Sequence, residues 1–290
     1  GGSSDCRPTP PVWAARRDGF SWDANFNAST NRNELLRINS VGGGSEQILV
    51  GGISGGVGST IQVLQPGYAV NSFLVYRHIR GSDGKPLYAD VNGVDPVTGK
   101  LTGRPDGDIN EQDLYEDINN DGIINQADRS PYENPAPDWI LGHSSNLAYR
   151  NVDLSFTLRA YLGNYVYNNV ASNRGNFREL TATGSPENLH SSALDYNFAT
   201  PQYFSDVYVE DASFLRMDNL TLGYTLPDFR GMQNLRIFGT VQNVFTVTDY
   251  SGVDPSAVVA ASVTTPVAFG IDNNIYPRSR TFTAGVSVGF

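Results

Sequence analysis

The sequence predicts an all-β fold, the C-terminal portion of a large antiparallel transmembrane β-barrel with long extracellular loops. Three observations predict it. Several segments alternate apolar and polar residues with period two, most approach the ~9–11 residues that a tilted strand needs to cross a bilayer, and the connections between them are short at one end and long at the other.

Phe20–Asn31 places Phe20, Trp22, Ala24, Phe26 and Ala28 on one face and Ser21, Asp23, Asn25 and Asn27 on the other. Val152–Leu162 repeats the pattern, with Val152, Leu154, Phe156, Leu158 and Ala160 opposing Asp153, Ser155, Thr157, Arg159 and Tyr161. In the final segment Phe282, Ala284, Val286, Val288 and Phe290 oppose Thr281, Thr283, Gly285, Ser287 and Gly289, so the chain stops on an aromatic residue. Phe214–Leu226 and Leu235–Val244 are further strands, although Arg216, Asp218 and Phe238 break their alternation. Ile140–Tyr149 and Ser72–His78 are weaker candidates, giving about seven strands in all.

From residue 140 onward the connections run short (Arg150–Asn151), long (Gly163–Ser213), short (Pro227–Asn234) and long (Phe245–Arg280). A soluble β-sandwich also alternates along its strands, but it has no reason to collect its long loops at one end. Unpaired strand edges are not viable in lipid and so few strands cannot enclose a wide lumen, so the chain reads as a fragment of a barrel. Residues 1–17 show no strand pattern and stay unassigned; residues 18–290 form the partial barrel. The glycine-rich stretch Val41–Ser59 reads either as a loop or as one more short hairpin.

Composition agrees with half-polar strands and long loops. Hydrophobic residues make up 39% of the chain, beside 14 Phe, 15 Tyr and 30 Gly. The net charge of -10 excludes nucleic acid as a partner, since phosphate binding requires clustered Lys and Arg. Cys6 is the single cysteine, which rules out an internal disulfide and a Cys-based zinc site. No window is long and apolar enough for a membrane-spanning helix, so a membrane crossing would use strands.

One motif carries sharp chemistry. Residues Asp117–Asp128 match a calcium loop of EF-hand or dockerin type. Asp117, Asn119, Asp121 and Asn125 supply side-chain oxygens, Ile123 a carbonyl, and Asp128 the closing carboxylate, while Gly122 permits the sharp turn. These hard oxygens suit Ca2+ in a structural role, ordering an acidic loop that otherwise repels itself. An Asx-rich turn without metal is the competing reading. His78, His143 and His190 lie far apart in the sequence, with no metal-ligand spacing, and neither a hydrolase elbow nor a phosphate loop is present, so an enzyme is not expected.

Taken together, Gly107-Asp108-Ile109, the run Asp117–Arg129, Asn134-Pro135-Ala136-Pro137-Asp138 and Tyr149–Ser155 resemble, in order and spacing, the signature of SusC/RagA-type TonB-dependent outer-membrane transporters. Gln242-Asn243-Val244-Phe245-Thr246, Tyr250–Pro255, Gly270-Ile271-Asp272, Tyr276–Thr281 and terminal Phe290 resemble that family's last strands, and Phe20–Asn33 extends the match. The resemblance implies a barrel of about 22 strands around a plug, in the outer membrane of a Gram-negative, Bacteroidetes-like bacterium. It also implies a SusD/RagB-like lipoprotein lid, energy from the TonB complex through a part not present here, and import of glycans, oligosaccharides or peptides. A terminal strand ending at Phe290 implies recognition by the barrel-assembly machinery. The fragment alone is not expected to transport. The alternative is a secreted, calcium-stabilised β-sheet module for carbohydrate binding or adhesion, and a passive porin shares the barrel without the plug.

Overall fold

A computed structural model describes residues 19–38, 46–53, 60–86, 114–181, 188–198, 200–226, 233–256, 269–273 and 275–289. Outside them lie Phe290, the unassigned N-terminal residues, Gly107-Asp108-Ile109 and parts of the glycine-rich stretch. The described elements are, in chain order, β1 (Phe20–Thr30), β2 (Ile48–Gly52), β3 (Thr60–Leu64), β4 (Ser72–Val75), β5 (Ser130–Tyr132), β6 (Trp139–Tyr149), β7 (Val152–Leu162) and β8 (Tyr165–Asn168), then helices α1 (Asn169–Arg174), α2 (Arg178–Thr181) and α3 (Ser192–Tyr196), and finally β9 (Val209–Asp211), β10 (Phe214–Leu226), β11 (Gln233–Thr248), β12 (Ile271–Asp272) and β13 (Thr281–Gly289).

Six strands form one antiparallel wall in the order β1-β6-β7-β10-β11-β13. The register puts Phe20, Trp22 and Phe26 beside Tyr149, Leu147 and His143, then carries the same face through Leu154, Phe156 and Leu158 to Leu222, Leu220 and Met217 and on to Val241 and Phe282. This is the lipid face of a barrel wall. The opposite face carries Asn25, Asn27, Ser144, Asn146, Asp153, Thr157, Thr221, Thr240 and Thr283, which belong against water. The wall is open, with β1 and β13 at its edges.

The residues that broke the alternation are explained by tertiary structure. A register shift between Met217 and Asn219 places Asp218 at a bulge, so Leu215 and Met217 before it and Leu220 and Leu222 after it share the lipid face. Phe238 lies on the polar face, where a Cβ at Gly285 on the neighbouring strand would collide with its ring. His143 and Ser145 are polar exceptions on the lipid face. They satisfy one another, with Ser145 Oγ 2.9 Å from His143 Nε2 and accepting a hydrogen bond from Trp22 Nε1 at 3.2 Å.

Trp139 pairs with both Thr30 and Leu162, and Phe214 with both Tyr161 and Thr248. The connections 31–138, 163–213 and 249–280 therefore leave the wall at the same, extracellular end. At the other end β6 and β7 are joined by the tight turn Arg150–Asn151, in which Arg150 has φ 54°.

The described parts of these long connections carry sheets of their own. β2 to β5 form a four-stranded sheet, and β12-β8-β9 a second small one. Ile53, Ile61, Phe73 and Val75 from the first excursion pack with Tyr167, Ala171, Phe198, Val207, Tyr208 and Val209 from the second and Ile271 from the third. A Val, Ile or Phe side chain buried in this way contributes about 1.5–3 kcal/mol, so the described parts of the three excursions fold as one cored cap. Two readings are corrected here. The segment Ser72–His78 is no membrane strand, because its strand Ser72–Val75 is buried within the cap and Tyr76 and His78 bridge to Ser205 and Tyr115 there. The wall thus has six described strands rather than about seven. Val41–Ser59 contributes a hairpin strand, β2, paired antiparallel with β3, and this hairpin adds nothing to the wall.

Candidate functional site

The loop Asp117–Asp128 is a run of turns in which Asp and Asn side chains accept backbone amides. Asp117 Oδ1 and Oδ2 accept the amides of Asp121 (3.3 Å) and Gly122 (2.8 Å), Asn119 Oδ1 accepts that of Asp121 (2.8 Å), and Asp121 Oδ1 that of Ile123 (2.8 Å). Asn120 at φ 57° and Gly122 at φ 81° make the reversals. Asn125 caps a single 3-10 turn, Gln126–Asp128, by accepting from Ala127 N, and its amide donates to the Ile123 carbonyl at 3.1 Å. Among the described residues, no EF-hand helix flanks the loop.

Asp128 is fully buried and closes the loop from within. Its Oδ1 accepts the amides of Ile118 (3.1 Å) and Asn119 (3.4 Å), its Oδ2 that of Asn125 (2.8 Å). The Asn125 amide is the largest influence holding this carboxyl below its ordinary range; burial opposes it, and the other two amides add to it. Both Asp128 oxygens thus already serve the backbone. Among the described residues no group of three or more His, Cys, Asp or Glu side chains is placed to hold a metal. Asp121 is bonded through its backbone amide to both Asp117 and Asn119, and its Oδ2 accepts the Asn119 side-chain amide, with the Ile123 carbonyl and Asn125 following in the chain. Hard carboxylate, amide and carbonyl oxygens on a loop of this shape fit calcium rather than a transition metal.

The loop is tied to the cap at both ends. Before it, Glu116 N donates to Arg77 O, and the Tyr115 hydroxyl donates to Gln202 Oε1 at 2.7 Å. After it, the Arg129 guanidinium lies 4.8 Å from the Phe204 ring centre and donates to Thr60 O. The histidines occupy separate surroundings. His78 is buried against Tyr115 and Phe198 and contacts Ser205, whereas His190 bonds Ser192.

On the polar face, charged residues are paired across strands. Arg236 grips Asp153 with Nε at 2.9 Å and Nη2 at 2.5 Å, over Gly223 of the strand between them, and Arg159 meets Asp218 at 3.1 Å. The alternation of Val152–Leu162 puts Asp153 and Arg159 on this face, but their partners Arg236 and Asp218 lie on other strands. Sequence reasoning missed the buried pair Arg216–Asp254, whose one visible signal was Arg216 interrupting an apolar run.

A polar cavity of about 690 Å³ lies where the cap meets the wall, lined by Asn31, Arg32, Glu34, Tyr68, Glu133 and Asp138 among others. Glu133 stands at φ 28°. Burial raises its carboxyl above the ordinary range; Arg77 opposes that, and Asp138 and Asp211 reinforce it.

No protein-family model matches the chain. The chain is 33% identical over 281 residues to the TonB-dependent receptor SusC of Bacteroides thetaiotaomicron, covering 93% of the chain and 24% of that protein. It is 28% identical to the TonB-dependent receptor P3 of Formosa agariphila, covering 93% of the chain and 27% of that protein. Among solved structures, the RagAB peptide transporter matches with a TM-score of 0.62 at 20% identity, covering 95% of the chain and 28% of that structure's chain, a likeness of fold. The chain therefore spans about a quarter of the length of these relatives.

Proposed function

Because the chain belongs to the SusC/RagA type of TonB-dependent outer-membrane receptors, we propose that it forms one section of the barrel of a nutrient importer working with a SusD/RagB-like lipoprotein. The carrying observation is the assembly of three long excursions into one cored cap over a wall with an apolar outer face and a paired-charge inner face. A wall of this kind partitions lipid from a water-filled lumen, while a rigid cap offers a preformed surface to a lid and a solute. Glycans, oligosaccharides and peptides are the substrate classes, and transport requires the rest of the protein, including the part that engages TonB. A secreted module would expose Phe20, Trp22, Phe26 and Phe282 to water, each more than half accessible here.

Within this reading Asp117, Asn119, Asp121, Ile123 and Asn125 hold a structural Ca2+, with Asp128 clasping the loop behind it. The bound ion supplies positive charge that offsets the acidic side chains. The loop in turn stiffens the junction of residues 76–80 with 202–206.

The test is purification of the full-length protein from outer membranes in detergent. A mass several times that of this chain, with a lipoprotein co-purifying, is expected. A soluble protein of this chain's own mass would overturn the proposal.

A further inference from the structure

The third excursion does not simply leave the wall. Beyond Thr248, residues Tyr250–Ser256 turn back onto the extracellular end of the polar face and cover Phe214 and Arg216, both of which are buried. Asp254 is the anchor. Its Oδ1 accepts Arg216 Nη2 at 2.7 Å and its Oδ2 accepts Arg278 Nε at 2.6 Å, while the Arg216 and Asp254 side chains are only 3% and 8% exposed. Arg216 also donates to Thr246 Oγ1 at 2.9 Å and Ser256 Oγ at 3.3 Å, and its guanidinium lies 4.9 Å from the Phe214 ring centre. The Ser256 amide and hydroxyl both donate to Asp254 Oδ1.

The segment is held from the opposite side too. Asn164 donates to Pro255 O at 3.4 Å, Glu210 accepts the Ser251 amide and hydroxyl at 2.8 Å each, and the Tyr250 hydroxyl donates to Asp272 at 2.9 Å. Apolar contact alone would let such a segment slide. A carboxylate between two guanidinium forks fixes both place and orientation, and a buried partner left alone carries a heavy desolvation cost. Arg216 lies two residues inside the wall from Phe214, so its ligand Asp254 sits within the mouth rather than above it. Ser251 and Val253 remain exposed on the segment's free edge.

We propose that Tyr250–Ser256 is a fixed strap across part of the lumen mouth, and that Arg216 and Arg278 are positioning residues that hold it there through Asp254, narrowing the opening an imported solute must pass. This rests on the reading of the polar face as lumen. Cysteine labelling of the full-length transporter in intact cells tests both ideas separately. Thr240→Cys lies on the polar face, deeper than the strap, and Val241→Cys lies on the opposite face. With Asp254 intact, a small impermeant maleimide should label Thr240→Cys faster than a polyethylene-glycol maleimide. Adding Asp254→Asn should speed the bulky reagent at least about tenfold, the change in an opening equilibrium that loss of one charge-assisted hydrogen bond produces. Asp254→Glu should restore most of the block, which loss of folding would not.

Equal labelling by the bulky reagent with and without Asp254→Asn, at any level, overturns the strap. Labelling of Val241→Cys at the rate of Thr240→Cys instead overturns the lumen reading. Hydrogen exchange on the unaltered protein gives an independent check: amides of residues 250–256 should exchange as slowly as those of β11, and fast exchange there also overturns the proposal.

Discussion

Replacing Gly270 by Ala should open the cap while leaving the wall folded. Gly270 stands where all three excursions meet. Its carbonyl accepts the Tyr167 amide at 2.7 Å, and the carbonyl of Phe269 beside it accepts Gln62 Nε2 at 2.7 Å. Its φ is +71°, and a Cβ there would collide with the Pro135 ring, stand 2.9 Å from the Tyr165 carbonyl oxygen and touch Phe73. The left-handed conformation costs an L-residue about 1–2 kcal/mol. Overpacking against groups that cannot rotate away adds about 1–3 kcal/mol. Together these give about 2–5 kcal/mol, or roughly a 30-fold to few-thousand-fold rise in the population of open cap. Protease shaving of intact cells reads that population when opening is fast relative to cleavage. Cleavage within the cap should accelerate by such a factor while the barrel keeps its heat-resistant migration in detergent. A change below about threefold would refute the collision argument, and loss of the barrel itself would refute the separation of cap from wall.

Gly223→Ala is the contrasting case. Its added Cβ meets only the movable ends of Asp153 and Arg236, so this half-exposed pair should open at a cost of about 1 kcal/mol or less, and a collapse of outer-membrane levels would contradict this. Calcium added after chelation should slow protease cleavage of the parent's cap and have no effect on Asp121→Ala; equal responses would exclude Asp121 as a ligand. Asp254 gives a pH dependence with a definite sign. Burial would raise its carboxyl, but hydrogen bonds from Ser256, Arg216 and Arg278 win and hold it at about 2. A depressed folded value means stability present above the ordinary carboxylate range and lost as pH falls through that range toward 2. Exchange protection of residues 250–256 should therefore fade in acid with this midpoint, and Asp254→Asn should remove that dependence; a midpoint above the ordinary carboxylate range would contradict the assignment.

The wall was legible in the sequence because a barrel strand sits between two different solvents along its whole length. That environment writes a period of two into neighbouring residues, and Val152–Leu162 and Phe214–Leu226 end where their alternation ends. The turns of Asp117–Asp128 were legible for a similar reason, since they are made within twelve residues by Asx side chains and Gly122. What remained hidden depends on contacts between distant parts of the chain. Ser72–Val75 looks like any short apolar strand until Phe73 is seen packed with Tyr167 and Ile271. Asp218 looks like an error in a lipid-facing strand until the bulge turns it toward Arg159. Arg216 and Asp254 lie 38 residues apart and meet only because the chain doubles back after β11. Local solvent environment imprints on sequence, whereas the closing of three long excursions into one cap, and of a strap onto the wall, is settled by burial and charge pairing that only the folded chain brings together.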